Sequence, residues 1–106
     1  MLTKINAKWM REFLAYDPSV DLARIRRPIL AVTGAKDIQV DPANLARMAE
    51  LITAPFEPHV VPDVTHLLRR ETGTPSISSY RKQVREPVDP RVVELILEWL
   101  ERQAAS

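Results

Sequence analysis

Asp37 and His66 are the two side chains of this sequence best placed to do chemistry together. Asp37 lies in the stretch Gly34-Ala35-Lys36-Asp37-Ile38-Gln39-Val40-Asp41-Pro42, and His66 in Pro62-Asp63-Val64-Thr65-His66-Leu67. Each stretch directly follows a short apolar run that reads as a strand, and loops at the C-terminal ends of parallel strands are where open α/β sheets bind ligands. A carboxylate suits an imidazole on a neighbouring loop. A lone imidazole rotates and ionises freely, whereas one held through Nδ1 presents Nε2 to a nucleophile. Taken singly, each residue has a plainer reading: aspartate favours turns through local hydrogen bonds, and an isolated histidine is more often structural or solvent-facing. His59, on the second strand, is assigned to packing or solvent, Asp63 to shaping its turn and Asp41 to capping a helix. His59, Asp63 and His66 straddle a strand and a loop without a recognised zinc spacing, so no metal or cofactor is expected.

The elements that must position the pair follow from periodicity. Leu2, Ile5, Trp9, Met10 and Phe13 recur at helical spacing among charged residues, which predicts an amphipathic helix near 3–15 ended by Asp17-Pro18. Trp9 and Phe13 are expected in the core or at an interface. Leu22 and Ile25 allow one short helical turn before Pro28. Ile29 to Thr33 is apolar without alternation and partly β-branched, suiting a strand covered on both faces. Asp41-Pro42 then supplies an N-cap and an N1 proline for a helix near 43–53 with Leu45, Met48, Ala49 and Ile52 as its apolar stripe. A second strand at 57–61 completes a βαβ unit, with the strands parallel and joined by a right-handed crossover. From Leu67 to Val88 the chain is polar, with Arg69, Arg70, Arg81, Lys82 and Arg85 forming a solvated face and a helical turn or two near Ser78 to Val84. Asp89-Pro90 repeats the capping device for a helix near 90–103, in which Glu98 is placed to pair with Arg102.

A chain of 106 residues has room for one small domain, and its 45% hydrophobic content is that of globular proteins. Domains this small leave much of their surface unburied, so any large apolar face left open will seek a partner. Fifteen Lys and Arg against fourteen Asp and Glu give a net charge of +1, which excludes the strongly basic balance of nucleic-acid binders. No cysteine is present, so disulfides and thiol chemistry are excluded. The apolar runs are too short to span a bilayer, and residues 1–10 lack the apolar core of a signal peptide. The expectation is a cytoplasmic protein without membrane or nucleic-acid partners.

PILAVTGAKDIQVDP resembles the α/β-hydrolase segment in which the penultimate strand ends in a Gly-x-x-Asp turn and the next helix opens with proline. VVPDVTHLL is similar to the last strand and histidine loop of that superfamily, and VDPRVVELILEWL to its closing helix, so the likeness runs over about residues 17–100. The order acid then histidine agrees with the family's Ser-Asp-His triad. The resemblance implies the C-terminal part of an α/β-hydrolase, with Asp37 as the triad acid and His66 as the general base. It also implies ester or amide substrates and an acyl-enzyme route. Gly34 and Gly73 are the only glycines, so no G-x-S-x-G nucleophile elbow exists among these residues, and the family's oxyanion-hole loop has no counterpart. The chain by itself is therefore expected to be catalytically incomplete. Its partner would be the missing N-terminal hydrolase half, or further copies of itself in a homo-oligomer with Trp9 and Phe13 near the contact. The alternative is a non-enzymatic, hydrolase-derived association module.

Overall fold

The structure, a computed structural model, describes the backbone of residues 4–106 and side chains from residue 7 onward. Helix α1 (Lys4–Ala15) opens the described chain, and residue 3, Leu2 and the Ile5 side chain of the expected apolar stripe lie outside the described residues. Pro18 then precedes α2 (Ser19–Ala23), where the Asp17 carboxylate accepts the Ser19 N–H at 3.0 Å. β1 (Ile29–Gly34) starts directly after Pro28. α3 (Asn44–Leu51) and β2 (Phe56–Val61) follow, and β1 and β2 pair in parallel with Ile29 opposite Phe56 and Gly34 opposite Val61. A 3₁₀ turn (Ile77–Ser79) runs into the short α4 (Tyr80–Gln83), and α5 (Pro90–Ala105) closes the chain. The chain is a small α/β protein. No helix among the described residues is long and apolar enough to cross a membrane.

Two local expectations need correction. The Asp41-Pro42 device acts one turn before the α-helix proper: Asp41 Oδ1 accepts from Ala43 N at 2.9 Å, and the next three N–H groups bond to carbonyls three residues back. The start of α3 is thus a tight 3₁₀-type turn. Glu98 is not the partner of Arg102, whose guanidinium reaches across to both carboxylate oxygens of Glu57 on β2, at 2.6 and 2.8 Å. Two short contacts from one guanidinium nitrogen to a carboxylate on another element stand in place of a single helical i,i+4 pair, which is worth only a few tenths of a kcal/mol. Asp89 does cap α5 as its sequence requires, accepting from Arg91 N at 2.9 Å, with Pro90 in the first turn.

The core is small and sits between the sheet and α5: Val61, Val64 and Val92, with Val32, Leu68, Val88 and Leu95 against them. Much of the remaining apolar surface is open. The radius of gyration is 16.6 Å, against about 13 Å for a compact domain of this length. Trp9 and Phe13, expected in a core or at an interface, stack on one another at 5.3 Å and stay 58% and 62% exposed, which excludes a core role in this structure.

The two edges of the sheet are unlike. Ile29 N donates to Pro55 O and Ala35 N to Val61 O, so by two-residue alternation the backbones of Leu30 and Val32 face away from β2. The same alternation turns Pro58 to the outer edge of β2, where its missing N–H blunts that edge against further pairing. The β1 edge has no such block. α5 packs on β1 and reaches β2 through Arg91, which donates to Pro62 O, and Arg102. At 100° per residue, Val93, Ile96, Leu97 and Leu100 then lie on the flank away from β2, all 40–55% exposed. Open strand edge and apolar helix flank are on the same side of the molecule.

Candidate active site

Both turns that carry the candidate pair are shaped by their own sequence. After β1 the chain bends back, and Asp37 Oδ1 accepts from Gln39 N at 2.9 Å and Val40 N at 2.8 Å, an Asx-type turn. After β2, Asp63 turns the chain with a positive φ of 57°, and a short bridge between Val64 and Arg70 draws the loop closed. Its tip is the turn Thr65 to Leu68, closed by Leu68 N donating to Thr65 O at 2.9 Å. His66 occupies that tip. The His66 loop lies directly on Gly34: a Cβ built there would stand 2.1 Å from Val64 O and 2.7 Å from Thr65 O. Glycine is needed here for close approach of two backbones rather than for its dihedral freedom.

The two predicted residues meet. Asp37 Oδ2 lies 2.8 Å from His66 Nδ1, with the Asp37 side chain 6% exposed and that of His66 39% exposed. Burial pushes the Asp37 carboxyl up, but the Val40 N–H, the His66 ring and the Gln39 N–H together outweigh it and hold the group below the usual carboxylate range. An ionised Asp37 accepts from Nδ1–H, and that tautomer leaves Nε2 bare toward solvent. An open groove of about 380 Å³ borders the pair, lined by Val40, Leu45, Met48 and Leu68 among others. No serine or threonine hydroxyl of the described residues hydrogen-bonds to His66. Ser76, Ser78 and Ser79 bond instead within their own segment and to Gln83.

Several residues around the pair escaped the sequence reading. Lys36 Nζ donates to Glu71 O and Gly73 O, both at 2.7 Å, and pairs with Asp63 at 3.1 Å. Thr65 is fully buried and donates its hydroxyl to Gln83 Oε1 at 2.8 Å. Tyr80 on α4 has a buried hydroxyl without a hydrogen-bond partner of good geometry among the described residues. Burial and then the negative charge of Asp37 raise its pKa, with the nearby His66 N–H pulling the other way. His59, assigned to packing or solvent, contacts Glu57 at 2.8 Å on the α5 side of the sheet, apart from the pair. Among the described residues no group of three or more His, Cys, Asp or Glu is arranged to hold a metal ion. Only the two-turn pattern around Asp37 and His66 carried a signal in the sequence, because each of those turns directly follows an apolar strand run, whereas nothing local to Lys36, Thr65, Glu71 or Gln83 names its partner.

Comparison with family models, with curated proteins and with solved structures finds no match for this chain.

Proposed function

We propose that this chain supplies the acid and the histidine of a serine hydrolase of α/β-hydrolase type, with the serine coming from a segment laid beside β1. One observation carries the reading: a buried carboxylate holds Nδ1 of a half-exposed imidazole at 2.8 Å on two loops that follow parallel strands. In that reading His66 Nε2 takes the proton of the serine hydroxyl as its oxygen attacks the carbonyl of an ester or amide. Asp37 stabilises the imidazolium so formed, and His66 returns the proton to the leaving group. The open β1 edge and the apolar flank of α5 support a partner that adds both a strand and a packing surface on that side.

A fluorophosphonate probe applied to the host's native protein tests this. The expected result is covalent labelling of a species that contains this chain together with a G-x-S-x-G segment, with loss of labelling in His66→Ala. Absence of labelling in every species that contains the chain overturns the proposal and leaves an association module in its place.

A further inference from the structure

The residues just before Asp37 and His66 are tied to one another by a second route. Lys36 Nζ holds the main-chain oxygen of Glu71 at 2.7 Å. The Glu71 carboxylate accepts from Gln83 Nε2 at 3.2 Å, and Gln83 Oε1 accepts the hydroxyl of Thr65 at 2.8 Å. With Asp37 to His66 as the last link, these contacts form a closed circuit through Lys36, Glu71, Gln83 and Thr65. Its middle is out of water, since Thr65 is 0% and Gln83 3% exposed. Buried polar groups with every partner in place hold one geometry, because each alternative leaves an unmet donor or acceptor in low dielectric. The Gln83 amide can serve Thr65 and Glu71 together only in one flip state, so it fixes where the His66 loop stands relative to the Asp37 turn.

We propose that Gln83 and Lys36 are positioning residues that hold the His66 imidazole against Asp37 in its Nδ1–H tautomer, leaving Nε2 free. The inference deepens the hydrolase reading but is testable without it. The circuit is a device for orientation rather than only for stability, and a paired substitution separates the two. Thr65→Val with Gln83→Met removes the buried donor and acceptor together while keeping shape, and the only charged group that loses a partner is the Glu71 carboxylate, which keeps the Gly73 N–H. It opens the circuit all the same.

The experiment is ¹⁵N and ¹H NMR of the His66 ring in the full chain, followed with rising pH until the ring signals stop moving, so that the tautomer is read directly. In the parent chain a single Nδ1–H tautomer with a slowly exchanging proton is expected. In the Thr65→Val/Gln83→Met variant both tautomers should appear, and the proton should exchange about tenfold faster, the factor that about 1.4 kcal/mol of lost orientation gives. Thr65→Ser, which keeps the hydroxyl, should restore the parent signature, and Lys36→Met should loosen it from the other side. A folded double variant with the parent tautomer and exchange rate overturns the proposal, as does an unchanged signature in Lys36→Met should the double variant not fold. Probe labelling and ester turnover do not enter this readout, so its failure is distinguishable from failure of the hydrolase reading.

Discussion

Replacing Gly34 with alanine tests how tightly the His66 loop is built onto β1. The φ at Gly34 is not in the left-handed region, so alanine meets no backbone penalty there and restricts the unfolded chain, a gain of about 0.4–1 kcal/mol. Against this stands a Cβ 2.1 Å from Val64 O, 2.5 Å from Val64 C and 2.7 Å from Thr65 O. All three atoms are main chain, so no side-chain rotamer relieves the clash, and the loop must withdraw by about 1 Å to reach tolerable contact. Overpacking of this kind costs about 1–3 kcal/mol, and the rigid neighbours put Gly34→Ala toward the upper end. At about 4–8 °C per kcal/mol for a chain near this size, the midpoint of thermal unfolding should fall by roughly 10–20 °C. The same withdrawal stretches the 2.8 Å contact between Asp37 and His66 toward or past the limit of a hydrogen bond, so the Nδ1–H signal should weaken even below the unfolding transition. Gly73→Ala is the control, because its nearest atom would be the flexible Glu71 Oε2 at an ordinary 3.5 Å, and a change within about 0.5 kcal/mol is expected. Thermal melts by circular dichroism with the His66 NMR signal report both effects. A Gly34→Ala protein melting within about 2 °C of the parent, with its Asp37 to His66 contact intact, would refute the reasoning.

The purified 106-residue chain should hydrolyse a p-nitrophenyl ester no faster than its His66→Ala variant, since the imidazole holds no serine hydroxyl among the described residues. Saturable turnover abolished by His66→Ala would contradict this. With the β1 edge and the α5 flank uncovered among the described residues, the isolated chain should self-associate, and a clean monomer in sedimentation at high micromolar concentration would count against that. Asp89 should contribute about 1–2 kcal/mol as the cap of α5, read as the loss in urea stability of Asp89→Ala. The Arg91 side chain, ahead of the opposing effect of burial, holds the Asp89 carboxyl below its usual range, and Asp37 is held low as well. A depressed native pKa stabilises the fold above the unfolded value near pH 4 and is lost as pH falls through the native value. The urea midpoint should therefore drop below about pH 4, less steeply in Asp89→Asn and Asp37→Asn. An acid limb unchanged in both variants would exclude these two groups as its source.

What could be read from sequence was whatever is written within about ten residues. The unbroken apolar run Ile29 to Thr33 and the run at 57–61 marked two strands, and the helix between them required parallel pairing, which β1 and β2 show. Asp89-Pro90 marked the start of α5 because a cap and its N–H lie two residues apart. The Gly34 to Asp37 turn and the His66 loop stood out because each follows a strand, and parallel pairing alone brings such loops to one edge. Periodicity said nothing of what each apolar face would meet, so it left the stripe holding Trp9 and Phe13 between core and interface, and the structure, where both are exposed, excludes only the core. Nor did it say that Arg102 would leave Glu98 for Glu57, or that Lys36, Glu71, Gln83 and Thr65 would join around the pair. These are contacts between segments remote in sequence, fixed only when the His66 loop settles on Gly34 and α4 folds beneath it. Tertiary structure decided them because a polar group buried by packing must take the partner that packing brings, whatever lies beside it in the chain.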